Sequence, residues 1–531
     1  MGFILTVIYI VLTIISPEQF GPAWAHYHAL EYLAGMVILA SLPNLLSGQY
    51  LRSSTQMFLL VGLFVAIAFS EVANGWFGGV LVSWQAFLPS AAIFFFVATN
   101  VTTIRRLKVV TLAAVASCMI VVVEALCGYY GRFRGDTFVL HDYLFSHDEV
   151  VGNLFRLRGV GFLNDPNDFA QILLVALPLL FITWRPRRLV HNSLLVCMPA
   201  CVLLWAIYLT HSRGALIGSV VLILMAARER LGATASAVLT GALALGMMAL
   251  DFTGGRAISA SEGAERLDAW ASGLELFKSA PIFGVGFGSF ADLNGITAHN
   301  SFVLCLAELG LVGSIIWVAL LVTTMMSLNS IVDSYKKGQT MTGGQERTAH
   351  ASSEGYGEET VLTTTALADN DAFHFDGKTV DFTAICVERQ AMGNMAVAAT
   401  AETTWAADLD PEEEHPSLEG VLPSSVWRKA TATADTATDV KIGIDDLYQH
   451  TVPKQWVVVM RLALISFMAT GWFLSRTYSA TMYLVLGLAT ATVSLEGATT
   501  SSSRSSRWCF FTLAIHAAMI SFIYLIVRLR Y

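Results

Sequence analysis

The chain has 531 residues, 55% of them hydrophobic and only 14% charged, with a formal net charge of −8 and a mean hydropathy of +0.60. That composition excludes an ordinary soluble enzyme of this length and points to an integral membrane protein. There is no P-loop, dinucleotide fingerprint or zinc-ligand spacing outside a membrane helix. The sequence therefore calls for no metal, no cofactor and no nucleic-acid partner.

Apolar windows of about 18 to 22 residues can each cross a hydrocarbon core about 30 Å thick as a helix. Only a helical bundle keeps every backbone group of such runs paired in lipid. The windows fall near 2–16, 29–47, 56–71, 79–99, 108–127, 168–184, 192–210, 214–227, 232–250, 302–325, 456–474, 479–496 and 508–527. They predict an all-α integral membrane protein of about 12–13 transmembrane helices. The first, Phe3–Ile15, lacks the basic flank and small-residue cleavage site of a signal peptide and reads as a membrane helix. Cys118, Cys127, Cys197, Cys201, Cys305 and Cys509 lie inside apolar runs, Cys386 in a polar one, and they read as small buried hydrophobes.

Three interruptions exceed a tight turn, at about 128–167, 251–301 and 328–455. They set the domain expectation: a membrane bundle over 1–327, including outer loops 128–167 and 251–301, an insertion over 328–455, and C-terminal membrane helices over 456–531. From Asp333 to Lys454 there are 21 acidic and 9 basic residues, and runs such as "TATADTATD" and "LDPEEEHP" read as largely disordered. A short folded patch fits only "FHFDGKTVDFTAICVE", which alternates apolar and polar residues as a hairpin does.

Lysine and arginine set the orientation. Arg105, Arg106, Lys108, Arg185, Arg187, Arg188, Arg228, Arg230, Lys336, Lys337, Arg504 and Arg507 share one side if the helices alternate, and that side reads as cytoplasmic, with the N-terminus on it. Arg528 and Arg530 then fall outside, so either the helix count is off by one or a short tail tolerates its charges.

The outer loops still carry Arg132, Arg134, Arg156, Arg158, Arg213, Arg256, Arg266 and Lys278. Positive charge is usually avoided there, so a retained cluster suggests a use. Asp136, Asp142, Asp148, Glu149, Glu262, Glu265 and Asp268 lie in the same loops, and for Arg132, Arg134, Arg156 and Arg256 structural pairing is the better reading. Arg213, in the short turn of "LTHSRGALIG", has no acidic neighbour in that turn. Guanidinium groups at the outer lip of a bundle suit a diphosphate, since planar paired donors match phosphate oxygens and stay charged at any working pH. His299 precedes an apolar helix that Asn300 or Ser301 can cap, close to water, where an imidazole can take a proton from an attacking hydroxyl. Glu308 lies about half a turn around that helix from His299, a poor direct partner for it, and reads as a bond to another helix or a polar cavity.

The stretches "RLRGVGFLNDPNDFA" (156–170), "THSRGALIGS" (210–219), "ERLDAWASGLELFKSAPIFGVGFGSF" (265–290) and "AHNSFVLCLAELGLVG" (298–313) together resemble the O-antigen ligase and O-antigen polymerase superfamily of bacterial polysaccharide assembly. The resemblance rests on Arg266, Trp270, Pro281, Gly284, Gly286, His299 and Asn300 in that order. It implies a GT-C-type glycosyltransferase in the bacterial inner membrane with its cavity facing the periplasm. Such an enzyme passes a glycan from undecaprenyl diphosphate to a sugar hydroxyl without a metal, in O-antigen or exopolysaccharide assembly. The acceptor is a lipid A-core sugar for a ligase and another lipid-linked glycan for a polymerase.

Carried over by position, Arg213 and Arg266 grip the donor diphosphate, His299 is the base, and Arg158, Trp270 and Asn300 contact substrate. Trp270 equally suits anchoring its loop at the interface. Pro281, Gly284 and Gly286 shape a turn without a chemical role. The large acidic insertion departs from a compact member and offers a surface to a cytoplasmic assembly partner. A polytopic transporter for a small anion or a glycan lipid is the alternative, but such proteins usually carry a midplane site between two related halves.

Overall fold

Every apolar window is helical in the computed structural model, which describes residues 1–17, 29–46, 55–132, 135–146, 149–249, 260–352, 373–375, 378–380, 452–496 and 502–530. In chain order the main elements are α1 (Gly2–Ile15), α2 (Ala29–Leu46), α3 (Thr55–Ala73), α4 (Gly79–Asn100) and α5 (Ile104–Tyr129). A hairpin of β1 (Val139–Ser146) and β2 (Glu149–Leu157) follows, then α6 (Pro166–Leu179), α7 (Met198–Leu209), α8 (Arg213–Ala249) and α9 (Ala260–Ser279). The order closes with α10 (Ser301–Ser352), α11 (Lys454–Gly471), α12 (Ala480–Leu495) and α13 (Ser502–Arg530). Among the described residues, 8 helices are long and apolar enough to cross a membrane, and Gly2–Ile15, Leu30–Pro43 and Ala480–Leu495 are shorter apolar helices. The protein is a helical, multi-pass membrane protein.

Several boundaries differ from the sequence reading for physical reasons. The windows at 214–227 and 232–250 are two helices of α8 that meet at Gly232, whose φ of 81° no helix interior adopts. Helix α10 continues to Ser352 instead of stopping near 325, because each added residue gains a backbone bond once a helix is nucleated. The 128–167 loop contains the antiparallel β1–β2 hairpin, with Val139 opposite Leu157 and Leu140 opposite Arg156. Leu154 and Leu157 of its second strand are buried. Cys118 and Cys305 are buried as expected, whereas Cys197, Cys201 and Cys509 are exposed, on apolar helices whose outer faces suit lipid.

The chain forms two compact units, one made of Met1–Gly344 with Thr451–Tyr531 and the other of Gln345–His450. In the second, Phe373–Phe375 pairs antiparallel with Lys378–Val380, inside the stretch whose alternation suggests a hairpin. The reading of 353–372 and 381–450 as disordered lies outside the described residues, as do Arg134 and Arg256.

Within the first unit burial sorts the helices. The apolar windows of α6 and α10 are each 78% buried, against 17% for α13 and 11% for the second half of α8. Helix α11 packs against α6 and α8, α12 packs against α4 and α11, and α12 is buried along nearly its whole length. The polar contacts fall at two ends. Asn100 donates to Thr6 and Ser41 at one, where Val452 and Tyr335 also meet Glu496. The described residues of 135–167 and 260–301 and the α11–α12 turn share the other, here termed the site end. Arg530 lies there too, bonded to Asp268 of α9 at 3.0 Å and to the Ala264 carbonyl, so its charge is matched inside the fold.

One helix of the core is broken to receive a loop. At Gly310 (φ 62°, ψ −159°) α10 leaves helical geometry, which frees carbonyls before the break and amides after it. The "PIFGVG" segment answers both: Val285 and Gly286 donate to the Ala307 and Glu308 carbonyls (3.0 and 3.2 Å), and Leu311 and Val312 donate to the Pro281 and Ile282 carbonyls (2.9 and 3.2 Å). Such an exchange is what non-helical backbone needs at membrane depth. Both glycines at the crossing have positive φ, and a Cβ on Gly284 would overlap the Glu308 carbonyl while one on Gly310 would overlap that of Ile282. Gly284→Ala or Gly310→Ala should therefore cost about 2 kcal/mol or more from backbone strain and overpacking. A lower melting temperature in detergent and reduced membrane yield would register it; wild-type values for both variants would contradict the crossing.

Candidate functional site

The site end is organised around the turn between α11 and α12, residues 472–479. Asn300 is fully buried and caps α10, its Oδ1 accepting from the Phe302 and Val303 amides (2.9 and 3.0 Å) and its Nδ2 donating to the Trp472 carbonyl (3.0 Å). Ser301 Oγ donates to the Leu474 carbonyl (2.6 Å) and accepts from the Arg476 amide (2.9 Å), while Thr477 Oγ1 donates to the Ser301 carbonyl (2.6 Å). The first residues of α10 are thus bolted to one short turn.

Helix α8 starts on the same turn. Ser212 is buried and caps it through the Ala215 amide (3.3 Å), and a Cβ on Gly214 would lie 3.5 Å from Phe473 Cβ. Arg213, half-buried, is the first residue of α8, adjacent to that contact. The preceding Thr210 carbonyl accepts from Arg156 Nε (3.0 Å), and Arg156 also reaches Asn167 (3.1 Å) and Asp142 (3.5 Å). Arg156 is a buried tie between hairpin, α6 and turn, the structural part the acidic neighbours suggested. Arg158, half-buried, donates from Nε to the Thr137 carbonyl (3.1 Å).

His299 sits just before the α10 cap in left-handed backbone, φ 50°, which histidine tolerates better than most side chains but at a cost of about 1 kcal/mol or more. Its imidazole is held below the ordinary value first by burial and then by the Arg266 charge, with Arg476 acting in the same direction and Asp165 and Glu265 opposing. The structure thereby brings Arg266 on α9 within electrostatic range of His299. Trp270, one turn along α9, is 7% exposed and packs edge-on against Trp472, ring centres 6.2 Å apart. Among the described residues its indole N–H has no hydrogen-bond partner.

Beneath the loop lie two carboxylates. Glu308 Oε1 accepts from the Phe290 amide (3.3 Å), a bond to the loop rather than to His299. Glu71, 1% exposed, accepts from the Phe287 amide (3.0 Å) and from Ser83 (2.7 Å) through Oε1. Ser70 of α3 and Asn74 just beyond it add bonds to the Glu308 and Gly284 carbonyls (2.7 and 2.9 Å). Sequence reasoning passed over Glu71, Asp168, Trp472 and Arg476; an acid inside an apolar window was the available signal for the first two.

The arrangement is a neutral-leaning imidazole among guanidinium groups at the water-facing rim of a membrane bundle. Residues 198–318 match the O-antigen ligase family. The match supports the resemblance to the O-antigen ligase and polymerase superfamily and is consistent with a membrane glycan-transferring role. It spans Arg213, Arg266, Trp270, His299 and Asn300, and leaves out Arg158, Asp168 and Arg476. No curated protein and no solved structure matches the chain.

The protonation of His299 can be read without activity, because carbethoxylation by diethyl pyrocarbonate follows the neutral imidazole. The midpoint at this residue, quantified by mass spectrometry, should lie below 6.5. It should rise in Arg266→Gln, which removes an opposing positive charge, and fall in Glu265→Gln, which removes a favouring negative one. A midpoint at or above the ordinary value, or two shifts of the same sign, would refute the assigned causes.

Proposed function

We propose that the protein transfers a glycan from undecaprenyl diphosphate to a sugar hydroxyl at the periplasmic face of the bacterial inner membrane, as an O-antigen ligase or polymerase. The observation that carries the reading is the meeting of His299, Arg266 and the Arg213 end of α8 around one turn at one end of the bundle. The distribution of lysine and arginine supports a periplasmic place for that end.

In the reaction the acceptor hydroxyl attacks the anomeric carbon, the bond from that carbon to the diphosphate oxygen breaks, and the diphosphate leaves with the electron pair. His299 takes the acceptor proton, a task for which an imidazole kept neutral by its surroundings is suited. Arg213 and Arg266 stabilise the charge that collects on the leaving group, so the chemistry asks for no metal. Arg158, half-exposed beside the hairpin, contacts the glycan. Trp270 and Asn300 serve by holding α9 and the His299 backbone on the turn. The acidic insertion serves a cytoplasmic partner and takes no part in the chemistry.

His299→Ala should lower transfer about 10²-fold or more with membrane insertion intact, and Arg213→Lys should lose at least about tenfold because one ammonium cannot replace a fork of donors. Transfer assays on membranes of matched protein content decide this, and normal rates in His299→Ala would remove the base. Deleting 345–450 should leave transfer near the wild-type rate; loss of activity in a correctly inserted deletion would contradict the division of labour.

A further inference from the structure

Arg476 lies in the 472–479 turn between two apolar helices, the setting that singled out Arg213. It follows a serine in "LSRTYSA" as Arg213 does in "HSRGALI", and it sits between α11 and α12 at the site end. Its backbone amide is bonded to Ser301, two residues from His299.

The side chain divides into an anchored part and an open part. Nε donates to Asp168, which lies in the first turn of α6 and is 5% exposed, while the Arg476 side chain is 38% exposed. Its two terminal amino groups make no hydrogen bond to any described residue. An ion pair that served only to tie α6 to the turn would need a single donor. Here a carboxylate fixes the base of the guanidinium and leaves the fork directed away from it, the geometry that matches two phosphate oxygens. The starts of α6, α8, α10 and α12 also gather around this turn, and helix N-termini favour an anion.

We propose that Arg476 is a third guanidinium of the donor site, binding the lipid-linked diphosphate through its terminal amino groups while Asp168 holds it in place. The inference rests on the reading of the protein as a diphosphate-lipid glycan transferase and extends the site beyond the segment matched to the family. Arg476 shares the end of the fold with His299 and Arg266, whose charges already act on one another. Together with Arg213 it makes a set of permanent cations large enough to prefer two phosphates to one.

The test uses the full chain in lipid nanodiscs, with undecaprenyl diphosphate and undecaprenyl monophosphate as probes and native mass spectrometry as the readout. Arg476→Lys keeps a cation for Asp168 but loses the fork. Its affinity for the diphosphate should drop about ten- to a hundredfold with melting temperature unchanged, and its preference over the monophosphate should shrink. The double variant Asp168→Asn/Arg476→Gln, which strands no buried carboxylate, should bind as weakly. Wild-type affinity in Arg476→Lys, with loss in Arg213→Lys, would overturn the third guanidinium and leave the transferase reading standing. Wild-type protein that binds neither lipid would overturn both.

Discussion

Asn300 and Ser301 fasten the start of α10 to the α11–α12 turn through bonds that engage the cap amide, the serine hydroxyl and the chain carbonyls on both sides. The fold depends on this contact at the site end. It forces His299 into left-handed backbone, brings Trp472 against Trp270, and sets Phe473 beside the start of α8. Each bond is worth about 1 kcal/mol on its own, but a buried cap left without its partner loses considerably more. An imidazole and several guanidinium groups that come from sequence positions hundreds of residues apart thus share one mount, the preorganisation that the proposed transfer would require.

A second constraint supports the first from below. The break at Gly310 leaves backbone groups that lipid could not satisfy, and the 281–286 segment pairs with them. Glu308 and Glu71 then hold the following amides of Phe290 and Phe287. The descent of the loop into the bundle fixes α9 and the approach to His299 from both sides. The Pro-x-x-Gly-x-Gly stretch therefore does more than turn the chain: it replaces a missing stretch of helix ladder.

The helices were legible in the sequence because an apolar window of bilayer length admits no other spanning structure besides a closed barrel. Arg213 and His299 stood out for a related reason, being polar groups at the ends of such windows. What escaped notice was long-range pairing. Arg476 has the same local signal as Arg213, yet its partner Asp168 is 308 residues away and sits inside an apolar window that hides it. The Gly310 break is silent because one glycine in a membrane helix is common, and nothing local reveals that a loop fills the gap. The hairpin at 139–157 is hidden in the sequence because charged residues interrupt its alternation, while Arg156 in its second strand pairs with Asp142 in the first.

In the proposed orientation the cationic rim accounts for positive charge on the side where it is normally sparse, and the Arg266 charge joins burial in lowering the His299 pKa. Its most direct test is a cryo-electron microscopy structure of the protein in a nanodisc containing an isoprenyl diphosphate. The account predicts headgroup density between the guanidinium groups of residues 213, 266 and 476, with the imidazole of His299 open to the water beside it. A headgroup bound elsewhere on the bundle, or arginines that turn away from it toward lipid, would contradict the account.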